Sequence, residues 1–344
     1  MSRWVVVLAG GVGSRFWPLS TPDRPKQLLP LIGKDSLLRD TLNRVRPLAD
    51  PAHTLILTNA SLVPAVAALA PDIPRENVIA EPKPAGTAAA LAWAAHRIVA
   101  SDGPGATMLS VHADWAVVDA DGFRQTLLRA ADAAERHASL VTVGVVPSRP
   151  DSGFGYIQSA DEIEPGVRRV ARFIEKPDAA RAAQMCADGF LWNSGIFVWR
   201  AGDYLAEVHA HTPEIAPALD AYCSDLQAFF SHVTPISVDV GVMERSARVL
   251  VIPGDFGWDD IGVWGALLRV RQRDAQGNAM SGAAYAVDSR DNVVHAEYGT
   301  VVLYGVRDLV VVTHDGMTVV TTADKSHALK ELLAQLPPAV RERP

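Results

Sequence analysis

Gly10, Gly11 and Gly13 stand directly behind the apolar, β-branched run Val5–Leu8, and two cations, Arg15 and Lys26, follow them. Glycine carries no Cβ, so backbone N–H groups beside it can approach an anion closely. One arginine and one lysine supply the full positive charges that a polyphosphate requires. The stretch from Val5 to Gln27 therefore reads as a nucleoside-triphosphate site at the mouth of a first strand. Two familiar phosphate loops are excluded. No Gly-Lys-Ser/Thr ending is present to place a hydroxyl on magnesium. Phe16 stands where the dinucleotide fingerprint needs a third, close-packing glycine. An ordinary strand-to-helix turn explains the glycines taken alone, so the two cations carry the weight of this reading.

Further candidates lie at the ends of later apolar runs. Asp114, in His112-Ala113-Asp114-Trp115, has the chemistry of a magnesium ligand, since Mg²⁺ takes oxygen donors and few of them from protein. A turn cap explains a lone Asp equally well. Asp260, in Gly257-Trp258-Asp259-Asp260-Ile261-Gly262-Val263-Trp264, could complete a two-carboxylate site with it. Gly86 and Thr87, in the loop Glu81–Ala88, could seat a flat base against backbone groups, although helix capping also accounts for Thr87. Gly155, the pair Glu175-Lys176 and Asn193 each sit at a strand end or entry. A carboxylate and a carboxamide offer directional acceptors, and the amide also donors, which suits sugar hydroxyls. Glu175-Lys176 by itself reads equally as an exposed charged turn. Ser237-Val238-Asp239 precedes a helical stretch containing Met243 and Glu244.

Composition narrows the classes. The 344 residues are 49% hydrophobic and 21% charged, as in an ordinary globular protein, and are enough for one large α/β domain plus a smaller one. A net charge of −7 disfavours nucleic acid as a partner, so phosphate binding must come from local cations. Only Cys186 and Cys223 are present, without a C-x-x-C, and they read as reduced thiols. The N-terminus has no signal-peptide pattern, and the Ala-rich helix expected at Thr87–Ala100 is too short to span a bilayer. No membrane association is expected, and the cytoplasm is the expected location.

The elements that must hold these residues alternate. Strands are expected at Trp4–Leu8, Thr54–Thr58, Val78–Ala80, Ala106–Val111 and Leu140–Val145, with helices at Ser36–Val45, Leu62–Leu69, Thr87–Ala100 and Asp121–His137. Such alternation gives right-handed βαβ units and a mostly parallel sheet, with ligands at the carboxyl ends of its strands. Strands Val170–Ile174, Ile196–Trp199 and Val249–Ile252 follow, with a helix at Asp178–Ala187 and another at Val263–Arg273. The polar stretch Asp274–Asn278 is the clearest boundary. It separates an expected domain 1–273 from a small β-rich domain 279–344, which ends in a helix at Ala328–Leu336.

Taken together, Gly10–Ser20 with Pro25-Lys26-Gln27, Phe173–Pro177, Asn193–Phe197 and Gly257–Gly262 resemble the ordered motifs of the sugar-1-phosphate nucleotidyltransferases. Trp17-Pro18-Leu19-Ser20 and Pro25-Lys26-Gln27 resemble the mannose branch of that family. The resemblance covers about three quarters of the chain. It implies a Rossmann-like α/β domain with a mostly parallel mixed sheet, and a small C-terminal β-rich domain of the left-handed β-helix type. It implies GTP and mannose 1-phosphate as substrates and Mg²⁺ as cofactor, with the metal on Asp114 and Asp260. Arg15, Lys26, Asp114 and Asp260 are then the catalytic set. Ala9, Gly10, Gly11, Gly13, Ser14, Arg15, Lys26, Gly86 and Thr87 bind nucleotide, while Gly155, Glu175, Lys176 and Asn193 bind the sugar phosphate. Two motifs depart from the family. His112-Ala113-Asp114-Trp115 replaces Pro-Ala-Asp-His, and Ala85-Gly86-Thr87-Ala88 replaces Arg-Asn-Thr-Ala, which leaves another base or hexose open. A catalytically silent nucleotide-sugar sensor is a further alternative, although such a protein needs no paired metal ligands. The C-terminal segment is expected to pack on the catalytic domain or on a second subunit, as in a homodimer.

Overall fold

A computed structural model describes residues 2–11 and 14–341, apart from the side chains of Ser14 and Lys330. The chain forms two compact units. The first comprises Met1–Gly10, Thr41–Ala113 and Asp119–Trp258, and the second Gly11–Asp40, Asp114–Val118 and Asp259–Pro344.

The strands of the first half are β1 (Arg3–Leu8), β2 (Thr54–Asn59), β3 (Val78–Glu81), β4 (Thr107–His112), the two-residue β5 (Ala116–Val117) and β6 (Leu140–Val145). They are followed by β7 (Tyr156–Glu164), β8 (Val167–Ile174), β9 (Leu191–Arg200) and β10 (Val249–Gly254). All but β5 join one nine-stranded sheet in the order β3-β2-β1-β4-β9-β6-β10-β8-β7. Strands β1 to β4 are mutually parallel, as are β6 and β10, whereas β8 and β9 pair antiparallel with their neighbours. Val5, Val6 and Val7 are fully buried, as befits a central parallel strand covered on both faces. Each such side chain contributes about 1.5–3 kcal/mol through burial.

Helix α1 (Leu37–Val45) and α2 (Val63–Leu69) precede α3 (Thr87–Asp102) and α4 (Ala120–His137). Helix α3 is apolar on nearly every side, and Ala88 to Ala95 are buried in the core with Leu57, Tyr204 and Phe229. Helix α4 starts at Asp119, whose carboxylate accepts the N–H groups of Asp121 and Gly122, and it buries a stripe including Phe123, Leu127 and Ala131. The expected α/β architecture is therefore present. Two local expectations are corrected. Strand β9 begins at Leu191, so Asn193-Ser194-Gly195 lie inside a strand rather than ahead of it. The helix expected over Val263–Arg273 is only a 3₁₀ turn, Trp264–Ala266, and a short α-turn, Leu267–Val270. Gly262 and Gly265 weaken helix formation there, and the Gly265 N–H is bonded to Ser326 Oγ instead.

The second unit holds a parallel β-coil. After the two-residue β11 (Trp258–Asp259), its strands are β12 (Ala279–Ser281), β13 (Ala284–Val287), β14 (Val293–Ala296), β15 (Val301–Tyr304) and β16 (Leu309–His314), and β17 (Met317–Thr322) closes it by pairing antiparallel with β16. Ala279, Val293 and Val310 stack in register across β12, β14 and β16, and Ala284 pairs with Val301 across β13 and β15. Each rung of the first stack is preceded by a residue in left-handed backbone: Gly277 at φ 85°, Asp291 at 55° and Asp308 at 57°. Glycine and Asp tolerate that region best. Asn278 Oδ1 accepts from Asn292, and Asn292 Oδ1 accepts from Leu309 N–H, so side-chain amides carry the stack round the corner. One core joins this coil to the loop 11–40, with Phe16, Leu19, Leu29 and Leu31 packed among Trp264, Val293, Val310, Val312 and Leu329. Among the described residues no helix is long and apolar enough to cross a membrane.

Candidate active site

Lys26 opens a 3₁₀ turn, Lys26–Leu28, and is almost wholly buried. Its Nζ donates to Asp114 Oδ2 at 3.0 Å and to the Asp260 carbonyl at 2.5 Å. A buried ammonium needs such partners, because desolvation without them costs several kcal/mol. Gln27 Nε2 donates to the Gly11 carbonyl at 2.9 Å and ties down the glycine segment. The turn that carries Asp260 is unusual. Ile261 sits at φ 47°, a genuine outlier for a β-branched residue. Full burial of its side chain and the bond from its N–H to Asp259 Oδ1, 2.9 Å, hold it there. Asp259 is itself gripped by both guanidinium arms of Arg269. Asp259 thus builds the turn, whose next residue turns its carbonyl onto Lys26. Gly262 leaves room beside it: a Cβ there would lie 3.2 Å from Asp260 Oδ2 and 3.7 Å from an Arg15 guanidinium nitrogen. Arg15 itself is exposed. Four of the expected residues, Arg15, Lys26, Asp114 and Asp260, are therefore gathered in the second unit. Gly13 lies outside the described residues, and Ser14 is described only in its backbone, within the 3₁₀ turn Ser14–Phe16.

In the first unit, the carboxyl ends of β1, β2 and β3 meet. Ala9 N–H donates to the Leu57 carbonyl, Thr58 Oγ1 donates to the Ala9 carbonyl, and Asn59 Nδ2 donates to the Gly10 carbonyl at 3.0 Å. A Cβ on Gly10 would lie 3.5 Å from Glu81 Oε1. Glu81 is half-buried, its carboxylate accepts no hydrogen bond among the described residues, and burial pushes its pKa up to about 7. Burial without a partner is costly for a carboxylate, which makes Glu81 a candidate functional group. Gly86 and Thr87 are packed against a neighbouring segment. A Cβ on Gly86, at φ 80°, would lie 2.2 Å from the Ile236 carbonyl, and Thr87 Oγ1 accepts the Val238 N–H at 2.9 Å.

The remaining candidates also converge in the first unit. Asn193 N–H donates to the Gly155 carbonyl at 2.8 Å, and a Cβ on Gly155 would lie 2.6 Å from Glu175 Oε2 and 3.2 Å from Asn193 Cβ. Lys176, exposed and at φ 45°, donates to Glu175 Oε1 at 2.7 Å. Asn193 Nδ2 donates to Asp239 Oδ1 at 2.7 Å. Burial first, and the Glu175 charge second, raise the Asp239 carboxyl to about 6. Glu175 and Asn193 are thus each held by another side chain.

Beyond this geometry, the family model described as nucleotidyl transferase matches residues 4–277. The chain belongs to the nucleotidyl transferase family. A second match, to the mannose phosphate isomerase/GMP-like β-helix domain, covers residues 282–336 and so falls on the β-coil. The alginate biosynthesis protein AlgA of Pseudomonas aeruginosa is 37% identical over 96% of this chain and 72% of its own. A mannose-1-phosphate guanylyltransferase of Escherichia coli is 34% identical over 95% of this chain and 72% of its own. Among solved structures, a Thermus thermophilus chain described as a mannose-1-phosphate geranyltransferase is 33% identical, with a TM-score of 0.91 over 97% of this chain and 99% of that one. In this nucleotidyl transferase, Glu81 and Asp239 are acids beside the candidate residues, and sequence reasoning noted their segments without assigning either a role. The signal available for Glu81 was its place directly after an apolar strand. Asp239 had none, because its partner stands on a strand far away in the chain.

Proposed function

We propose that this nucleotidyl transferase is a mannose-1-phosphate guanylyltransferase, which converts GTP and mannose 1-phosphate to GDP-mannose and pyrophosphate. One observation carries the reading: buried Lys26 links Asp114 to the Asp260 turn in a chain whose guanylyltransferase relatives align with it over nearly its whole length. A phosphate oxygen of the sugar phosphate attacks the α-phosphorus of GTP in line, and pyrophosphate leaves. The substrate is its own nucleophile, so the protein's work is positioning and charge stabilisation. Arg15 and Lys26 offset triphosphate charge, and Ala9, Gly10, Gly11, Gly13 and Ser14 are assigned to nucleotide binding. Gly86 and Thr87 shape the nucleoside seat through the segment they pack on. Lys176 meets the sugar phosphate, and Glu175, Asn193 and the Gly155 backbone hold hydroxyls.

Members of this family typically use a divalent metal. Lys26 ties the Asp114 carboxylate to the Asp260 main chain, and two carboxylates are the donors and the number that Mg²⁺ usually takes from protein, with water and phosphate oxygens completing its shell. Among the described residues no group of three or more metal-binding side chains forms an all-protein cage. Asp114 and Asp260 would hold the ion. When bound, it supplies Lewis-acid polarisation and a template for the phosphates.

Glu81 supports guanine as the base. A carboxylate only accepts hydrogen bonds, and guanine alone presents two adjacent donors, N1–H and the N2 amino group, on its pairing edge. Every other base places an acceptor beside its donor there, which a carboxylate repels. On this reading residues 1–273 carry the reaction, residues 279–344 brace the loop that bears Arg15 and Lys26, and the protein works in the cytoplasm. Pyrophosphate release from a panel of nucleoside triphosphates and sugar 1-phosphates, with Mg²⁺, tests it. Preferred turnover of GTP with mannose 1-phosphate is expected. Preference for another pair, or binding of GDP-mannose without turnover, overturns it.

A further inference from the structure

We infer that the short π-helical turn Asp239–Met243 sets the geometry of the sugar pocket, with Asp239 as a positioning residue that acts through Asn193. The inference rests on the sugar-binding role given above to Glu175 and Asn193. Glu244, the residue that closes the turn, donates its N–H to the Asp239 carbonyl at 2.9 Å. Its side-chain Oε1 accepts the Glu175 N–H at 3.1 Å. At the other end of the turn, Asp239 Oδ1 accepts from Asn193 Nδ2 at 2.7 Å. One turn therefore reaches both pocket residues, which stand on separate strands and loops. An α-helical turn, at 3.6 residues, would point residues five apart to different sides. The wider π closure brings the two acids to bear on one pocket, and such bulges recur at functional sites.

The pairing also decides which way the amide faces. Asn193 Oδ1 accepts the Gly195 N–H at 3.1 Å, and an ionised Asp239 can only accept, so the Asn193 amino group must point to it. The turn itself is anchored. Val242 and Met243 are buried, Gly241 N–H donates to the Ser237 carbonyl at 2.8 Å, and Val238 N–H donates to Thr87 Oγ1. The ionisable groups facing Asp239 are Glu175 and Lys176 beyond β8 and the Tyr204 hydroxyl on the helix Ala201–His211, with Glu244 at the far end of the turn. Glu175 opposes ionisation of Asp239 and Lys176 favours it, after burial, which is the main cause of its raised pKa. As pH falls through about 6, Asp239 takes up a proton and its bond to Asn193 changes from charge-assisted to neutral. Sugar affinity then weakens on the acid side.

The experiment is a steady-state comparison of wild type, Asp239→Asn, Glu244→Ala and Glu244→Gln with GTP and mannose 1-phosphate between pH 5 and 8. Asp239→Asn should raise the sugar-phosphate KM about tenfold, the size expected for one charge-assisted bond, with the GTP KM and kcat within about threefold. Glu244→Ala should raise the same KM, and Glu244→Gln, which keeps an acceptor oxygen, should restore it. The second ionisation of the sugar phosphate falls in the same pH window and is common to all variants. The difference between the wild-type and Asp239→Asn profiles is therefore the reading, and the extra acid-side rise should be absent from the variant. A sugar KM within twofold of wild type, an equal rise in both KM values, or superimposable pH profiles overturns the inference. Lack of wild-type turnover with mannose 1-phosphate instead overturns the substrate assignment, and Asp239 is then read on the sugar phosphate that does turn over.

Discussion

Replacing Glu81 with Gln should make the protein more stable at alkaline pH and poorer at choosing its base. The carboxyl moves from 4.5 to about 7 on folding, because burial penalises its charged form. A group whose folded pKa is raised contributes stability that is complete below the unfolded value and lost as pH rises through the folded one. For Glu81 that window runs from about pH 4.5 to above 7, and the shift corresponds to about 3 kcal/mol at most. Gln has nearly the same shape and no charge to desolvate. The variant should therefore match wild type near pH 4.5 and exceed it by up to about 3 kcal/mol at pH 8.5, read by urea or thermal unfolding at both values. The same substitution replaces an acceptor-only group with one that also donates. The ratio of GTP to UTP turnover should fall about tenfold or more, because a site that pairs both guanine donors rejects a base that presents an acceptor. Equal stability of the two proteins at pH 8.5 would refute the account of Glu81 as a desolvated, unpartnered acid. Unchanged base selectivity would refute its role at the base.

Lys26→Ala and Asp114→Ala should each lower kcat by at least about 10²-fold in a pyrophosphate-release assay, since each removes a charge-stabilising group from one cluster. Turnover near wild type in either variant counts against the role of that residue. Glu175→Ala should act mainly on the sugar side, and an unchanged KM for mannose 1-phosphate would remove it from the pocket. Arg271→Met tests the brace on the loop 11–40. Arg271 is buried, with its pKa lowered by burial to about 10, and it donates to the Leu31 carbonyl, the Val294 carbonyl and His295 Nδ1. Burial also depresses His295 to about 4, which keeps it neutral and able to accept. Loss of the arginine orphans three buried acceptors, so a destabilisation of about 3 kcal/mol or more is expected by thermal unfolding. Melting within a degree of wild type would show that the loop does not depend on it.

How far such residues can be read in advance depends on whether the force that shapes them is local. Strands β1, β2, β4 and β6 are legible because burial on both faces demands a mostly apolar run, and Val5, Leu55, Leu109 and Val141 each sit in one. Lys26, Asp114 and Asp260 are legible as chemical types at strand ends and turns. What joins them is not, since the bonds from Lys26 span residues far apart in the chain and depend on Ile261 accepting a left-handed backbone. The C-terminal coil hides its regularity for a related reason. Its repeat is carried by corner residues of mixed identity, Gly277, Asp291 and Asp308, and by the Asn278–Asn292 ladder, with rungs of unequal spacing. The partnership of Phe16, Leu29 and Leu31 with Val293, Val310 and Val312 leaves no periodic trace at all, because apolar side chains carry no address. Glu81 and Asp239 are the sharpest case. Both look like ordinary surface acids until burial and a neighbour are known, and both are then held at a pKa that costs stability. An acid kept under that penalty, one at the end of β3 and the other in a π-helical turn, is a candidate for selection by function rather than by stability.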